Sequence, residues 1–320
     1  MTKLKPLSQQ VVVVTGASSG IGLATARKAA KAGAKVLLVA RGEPALKAAV
    51  EDIIASGGRA AYAVADVGEL SELEQAAHLA LERFGGIDTW VSNAGVAIYA
   101  DVLTTPRDEH ERLFRTNYWG AVNSAQVAIP HLRARRGAFI MVGSVASDMG
   151  SPVMGTYAAS KHAVKGYVDS LRIELNRDKV PVIVTLVKPS GIGTPLNAHV
   201  ANHKHGEAKV PPPVYAPELV ADAILHAARH PMREVTVGGA GLAQVLFATH
   251  FPGLFAHLAG AITPLLNDPK TPATPGDNLF SAMSGGEVHG AEGPGLRFSL
   301  YTAAGCIPSR PRRPWPQAPL

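Results

Sequence analysis

Four consecutive valines, Val11 to Val14, run straight into Thr15-Gly16-Ala17-Ser18-Ser19-Gly20-Ile21-Gly22 and then into the alanine-rich stretch Leu23–Ala32. A β-branched run with no polar alternation predicts a strand buried on both faces. The alanine-rich stretch predicts a helix. A glycine turn between strand and helix is the context a phosphate-binding turn needs, because glycines let the backbone approach a pyrophosphate and the helix start offers free N–H groups. Gly16, Ser18, Ser19, Gly20, Ile21 and Gly22 are the candidate contacts. A tight turn that binds nothing would use the same glycines, so the rest of the chain has to decide.

The same alternation recurs. Strands are expected at Ala34–Ala40, Ala60–Val64, Thr89–Ser92, Ala138–Val142 and Val182–Val187, with a short last one at Glu234–Val237. Helices are expected at Glu43–Ser56, Ser71–Phe84, from Thr105-Pro106 to about Leu132, at Thr156–Asn176 and at Pro217–Ala228. Strictly alternating strands and helices imply an α/β fold of the Rossmann type, a doubly wound parallel sheet with helices on both faces. Right-handed crossovers then place every strand's carboxyl end on one rim. Arg41, Asp66-Val67, Asn93-Ala94-Gly95, Ser144 and Pro189 all follow strands and therefore share that rim with the glycine turn. Arg41 follows the second strand with Ala40, not a carboxylate, at its tip. In dinucleotide-binding folds that position favours a 2′-phosphate over a free 2′-hydroxyl. Asp66 is placed either to hold an adenine amino group or to cap the next helix.

Tyr157 and Lys161 lie four residues apart, which puts both on one helix face. A free phenol, with its pKa of about 10, is a poor proton carrier at neutral pH. A neighbouring ammonium would lower it and make a general acid/base. Ser144 supplies a hydroxyl at the end of the fifth strand. Asn117 falls in the middle of an expected helix, where its amide could hold a kink or a water.

With these residues in view, the chain resembles the short-chain dehydrogenase/reductase family over roughly residues 8–237. Residues 15–22 are similar to its TGxxxGxG turn. Asn93-Ala94-Gly95 is similar to its NAG motif, with Ser92 where an asparagine is more usual. Asn117, Ser144, Tyr157 and Lys161 are similar to its catalytic tetrad. Pro189 and Thr194 are similar to its PGxxxT loop, with Ser190 in place of the loop's glycine and Gly191 one position later. The resemblance implies hydride exchange between a nicotinamide cofactor and a small carbonyl or alcohol substrate. Tyr157 would be the acid/base and Lys161 would lower its pKa and bond the nicotinamide ribose. Ser144 would orient the substrate oxygen and Asn117 anchor a water. It further implies NADP(H) as the preferred cofactor, with NAD(H) as the alternative, and a homodimer or homotetramer.

Composition narrows the remaining classes. The 320 residues are 47% hydrophobic and 18% charged, enough to bury a full core. The net charge of +6 is partly carried by Arg297, Arg310, Arg312 and Arg313 near the end, and no basic stripe with interleaved aromatics suggests nucleic acid. Cys306 is the single cysteine, which excludes an intrachain disulfide and suggests a reducing, cytoplasmic setting. His199, His203 and His205 lie close in sequence but lack a completing acid or cysteine, so no metal is expected.

Three regions result. Residues 1–238 form the NAD(P)-binding catalytic unit. Residues 239–266 carry no Asp, Glu, Lys or Arg and are divided by Pro252-Gly253, which suggests an apolar helical hairpin. Such a hairpin could cap the site, make oligomer contacts or lie on a membrane surface, and each of these suits an apolar substrate. Residues 267–320, rich in proline, glycine and serine with an isolated Trp315, are expected to be a disordered tail. The competing readings are peripheral membrane association with a lipid or steroid substrate, and a non-catalytic nucleotide sensor on the same fold.

Overall fold

The computed structural model describes residues 4–268, 270–272, 276–291 and 293–306. Among them, seven strands form one parallel sheet: β1 (Val11–Thr15), β2 (Lys35–Ala40), β3 (Arg59–Val64), β4 (Thr89–Ser92), β5 (Ala138–Val142), β6 (Ile183–Pro189) and β7 (Glu234–Val237). Their spatial order is β7-β6-β5-β4-β1-β2-β3. The order reverses beside β1, leaving a crevice at the carboxyl ends of β1 and β4, the switch point where such sheets bind ligands.

The valine run shows why β1 reads as uninterrupted. Val12 and Val14 pack into the layer of α1 (Gly20–Lys31), α2 (Glu43–Ala55) and α7 (Pro217–Ala227), and Val13 into the opposite layer of α3 (Leu70–Phe84), α5 (Gly120–Arg135) and α6 (Gly155–Arg177). Side chains alternate across the sheet and helices cover both faces, so each valine is buried; burial contributes about 1.5–3 kcal/mol apiece. Phe139, Trp90 and Leu37 complete the second layer.

The long helix expected from residue 105 is broken in two. The first part, α4 (Arg107–Phe114), passes through a π-helical turn, Arg115–Trp119, before α5 begins. Asn117 sits in this turn, where the backbone departs from the α-helical ladder.

After β7 come α8 (Gly239–His250) and α9 (Pro252–Ile262), with Phe251 between them and Pro252 starting the second. Among the described residues no helix is long and apolar enough to cross a membrane. Leu246, Phe251, Leu254 and Leu258 are exposed, whereas Phe255 and Ala259 turn toward the crevice.

The expectation of a disordered tail is corrected for residues 276–291 and 293–306, which run back across the sheet's carboxyl rim. Leu279 is fully buried among Val96, Ile98, Leu113 and Ala201. His289 pairs with Glu218 at 2.9 Å. Leu296 bridges Tyr215, and α10 (Leu300–Gly305) packs beside β7. Composition suggested disorder because this segment lacks an apolar period; main-chain hydrogen bonds and a few isolated anchors hold it instead. Residues 307–320, Trp315 included, lie outside the described residues.

Candidate active site

The glycine turn and the end of β4 are stapled together. Thr15 Oγ1 accepts from the Asn93 and Ala94 N–H groups at 3.0 and 3.1 Å. The Asn93 side-chain amide donates to the carbonyls of Thr15 (2.9 Å) and Gly16 (3.3 Å). Gly16 has φ +66°, and a Cβ there would lie 2.8 Å from Ala94 Cα. A Cβ on Gly22 would lie 2.1 Å from the Gly16 carbonyl oxygen. These two glycines are therefore set by the approach of α1 and β4 to the turn. Asn93 shapes the turn by bracing it.

Ser144 follows β5 and caps the short 3₁₀ turn Val145–Ser147, its Oγ accepting from the Ala146 N–H at 3.1 Å. Tyr157 stands in the first turn of α6, half-buried on the cavity wall, with its hydroxyl facing Ser144. One turn later, Lys161 is buried, donates to the Val142 carbonyl at 3.1 Å, and holds its ammonium 5.6 Å from the centre of the Tyr157 ring. Burial pushes the Tyr157 phenol above its ordinary value, and the Ser144 hydrogen bond opposes this. Burial also lowers Lys161 to about 8. The sequence suggested that the ammonium would dominate the phenol's acidity; here the apolar surroundings dominate both groups, disfavouring the charged form of each.

Asn117 is a brace as well. Its Oδ1 accepts from the Val96 N–H at 2.9 Å, and its Nδ2 donates to the Val96 carbonyl and to Ser160 Oγ, both at 3.0 Å. It thereby ties the π-helical turn to the Gly95-Val96 loop and to α6, the helix that carries Tyr157 and Lys161. It lies behind the crevice wall rather than on it.

At the other end of the crevice stand Arg41 and Asp66. The Asp66 carboxylate accepts from the Gly68 N–H at 2.9 Å and pairs with Arg112 at 2.6 Å. Burial alone would raise it, but Arg112 and the Gly68 N–H outweigh burial and hold it below the usual carboxylate range. Arg112 was not singled out from sequence; it lies on α4, and only the fold brings it to Asp66. Val67 packs against Gly120. Arg41 is lowered by burial and by Arg112, with Asp66 acting in the opposite sense. Its guanidinium donates to the main-chain carbonyls of Asn278, Leu279 (3.2 Å) and Ser281 (3.5 Å).

After β6, Pro189, Gly191 and Thr194 turn back beneath the glycine turn, and Thr194 meets Gly20. The preceding Lys188 is buried and bonded to Asp148 (2.8 Å) and Glu234 (3.2 Å). Lys165 also pairs with Asp148, and these lysines hold its carboxyl below its ordinary value against the opposing effect of burial. The cluster ties the loop after Ser144 to β6 and β7. Sequence gave no signal for it beyond a lysine in an apolar strand.

All the catalytic and cofactor-binding candidates read from the sequence except Gly22 and Asn117 line one cavity of about 410 Å³. It runs from Arg41 past the glycine turn to Tyr157, and continues between Tyr99, Met149, Met154, Leu196, Phe255 and Leu266. The Tyr99 hydroxyl, pushed up to about 12 by burial, donates to the Leu266 carbonyl and fastens the end of the hairpin region to the cavity. His203, considered as a metal ligand, pairs instead with Glu109 at 2.8 Å.

The short chain dehydrogenase family model matches residues 10–205. The uncharacterized oxidoreductase YxnA of Bacillus subtilis (strain 168) is 39% identical over 308 residues, covering 94% of this chain and 86% of that one. A metagenomic short-chain oxidoreductase solved in complex with NADP is 30% identical, with a TM-score of 0.60 over 73% of this chain and 98% of that one. A short chain dehydrogenase/reductase from Burkholderia phymatum in complex with NAD shares the fold, with a TM-score of 0.70 at 24% identity, over 84% of this chain and 99% of that one.

Proposed function

The chain belongs to the short-chain dehydrogenase family, oxidoreductases acting on CH–OH or carbonyl groups with NAD(P), and on that premise we propose that it interconverts an apolar ketone or aldehyde with its alcohol, using Tyr157 as the acid/base and preferring NADP(H). The observation that carries this reading is the single cavity joining Arg41, the glycine turn and the Ser144–Tyr157–Lys161 group. Its residues fit a dinucleotide. The start of α1 presents its N–H groups to a pyrophosphate, the Gly20 N–H being held by the Glu287 carbonyl at 2.9 Å, and Asn278 lines the cavity with a buried Oδ1 that has no partner among the described residues. When bound, the cofactor supplies or accepts the hydride.

The chain's own groups would handle the proton. Ser144 fixes the substrate oxygen beside the Tyr157 hydroxyl. Tyr157, kept protonated by its surroundings, gives its proton to a carbonyl oxygen during reduction. Lys161, charged below about pH 8, offsets the phenolate left behind. The apolar lining from Met149 to Leu266 favours a substrate with little polarity beyond the reacting carbon.

The pH dependence follows in sign. Tyr157 stays protonated through neutral pH, and Lys161 loses its charge as pH rises through about 8. Carbonyl reduction should hold steady below that value and fall above it. A kcat that stays flat to pH 10 would remove Lys161 from the reacting state.

Cofactor choice is tested by fluorescence titration with NADPH and NADH. Arg41 and Arg112 both flank Asp66, so two guanidinium groups serve one carboxylate at the adenosine end, a balance that suits an added phosphate. Arg41→Ala should weaken NADPH about 10- to 100-fold more than NADH, the range expected for a hydrogen bond to a charged group. Equal weakening of both, or of neither, would sink the NADP preference.

A second reading, attachment of the α8–α9 hairpin to a membrane surface, is favoured by exposed Leu246, Phe251, Leu254 and Leu258. Failure of the full chain to partition with liposomes would remove it.

A further inference from the structure

We propose that residues 277–287 are a strap that forms the outer wall of the cofactor site and slows the exchange of the bound dinucleotide. This goes beyond the family's Rossmann core and rests on the reading that the cofactor occupies this cavity. The strap is anchored at points that belong to the site itself. The Asn278 N–H donates to the His199 carbonyl at 2.9 Å, at the end of the segment after Thr194. The carbonyls of Asn278, Leu279 and Ser281 hold the Arg41 guanidinium, and Arg112 Nε donates to the Leu279 carbonyl at 2.8 Å. Further on, the Gly286 N–H donates to the Ser18 carbonyl at 2.8 Å, and the Gly20 N–H donates to the Glu287 carbonyl at 2.9 Å. The segment therefore bridges the post-β6 loop, the tip of β2 and the glycine turn.

Between these anchors it faces inward. Asn278, Ala282, Met283 and Ser284 line the same cavity as Arg41 and Asp66. Ala282 and Met283 place apolar surface at the adenosine end, and a thioether suits the face of a purine. Asn278 lines the cavity, and its Oδ1 is buried and unpartnered among the described residues. A buried acceptor without a donor is unfavourable, and a small shift of the strap around a bound dinucleotide would let a ligand hydroxyl satisfy it. The three carbonyls also direct Arg41, so the strap positions that side chain in addition to enclosing the ligand. Leu279 supplies the hydrophobic anchor in the core.

The test measures dissociation rates and Kd for NADPH and NADH by stopped-flow and equilibrium fluorescence, on wild type, Asn278→Ala, Gly285→Val and Arg41→Ala. A Cβ at position 285 would lie 2.8 Å from the Ser18 carbonyl oxygen and 3.0 Å from Ala45 Cβ, so valine there wedges the strap off the glycine turn. Asn278→Ala removes only the inward amide and should leave the melting temperature of the free protein near wild type. Both strap variants should release both cofactors faster, Asn278→Ala by about 3- to 10-fold, the span of one neutral hydrogen bond. Unchanged dissociation in both variants would overturn the strap. So would tighter binding, which would mean that the segment competes with the cofactor. Because Arg41→Ala also removes a strap anchor, the NADP preference is read from the ratio of its effects on NADPH and NADH, and the strap from Asn278→Ala and Gly285→Val. If it fails to discriminate between cofactors while the strap variants still release them faster, only the NADP preference falls. Wild type binding neither cofactor would overturn the cavity reading and the strap together.

Discussion

Tyr157→Phe should lower kcat for carbonyl reduction about 10²- to 10⁴-fold, the usual contribution of a positioned general acid, while cofactor affinity and melting temperature stay near wild type. Phenylalanine keeps the ring that packs at the edge of the cluster of Val96, Ile98 and Leu113, and removes only the hydroxyl that meets Ser144. Steady-state kinetics together with cofactor titration would separate chemistry from binding. Turnover within about tenfold of wild type, well inside the range just given, would show that another group carries the proton.

Lys161→Met should abolish most turnover and at the same time stabilise the fold. Burial lowers the Lys161 ammonium from 10.5 to about 8. That displacement corresponds to about 3 kcal/mol of destabilisation carried in full below pH 8. Between pH 8 and 10.5 the unfolded chain binds the proton and the folded chain does not, so wild-type stability rises with pH across that window. Methionine fills similar volume without a charge but leaves the Val142 carbonyl without its donor, a loss of about 1–3 kcal/mol. The balance is a gain of about 1 kcal/mol at neutral pH, or roughly 1–2 °C in Tm for a chain of this size. The variant should also lose the rise in stability above pH 8. Thermal melts at pH 7 and pH 10 would check both. A variant less stable than wild type at pH 7 would mark Lys161 as a structural residue. The combination of higher stability and lost turnover is expected of a charge kept buried for chemistry.

Much of this was open to a reader of the chain alone. The β-branched runs and the helices between them specify the parallel sheet because each residue's burial follows from its own position in a local period, and period is a local property. The glycine turn was legible because strand, glycines and helix follow one another without interruption. Tyr157 and Lys161 were legible because four residues on a helix fix a shared face. What only the tertiary structure decided depends on contacts between distant segments. Arg41 meets Asn278 across 237 positions, so nothing near residue 41 could show that its guanidinium is held by carbonyls. The segment after residue 276 carries no apolar period because its own backbone and a few anchors such as Leu279 hold it, which made it look disordered. Asp148 and Lys188 lie 40 positions apart and become partners only when β5 and β6 are side by side. Asn117 was recognised as a special position, but its bracing of Val96 and Ser160 required α6 to pack on the π-helical turn. The same holds for the acidity of Tyr157. The spacing of residues 157 and 161 places an ammonium near a phenol, whereas the packed core determines that burial outweighs it.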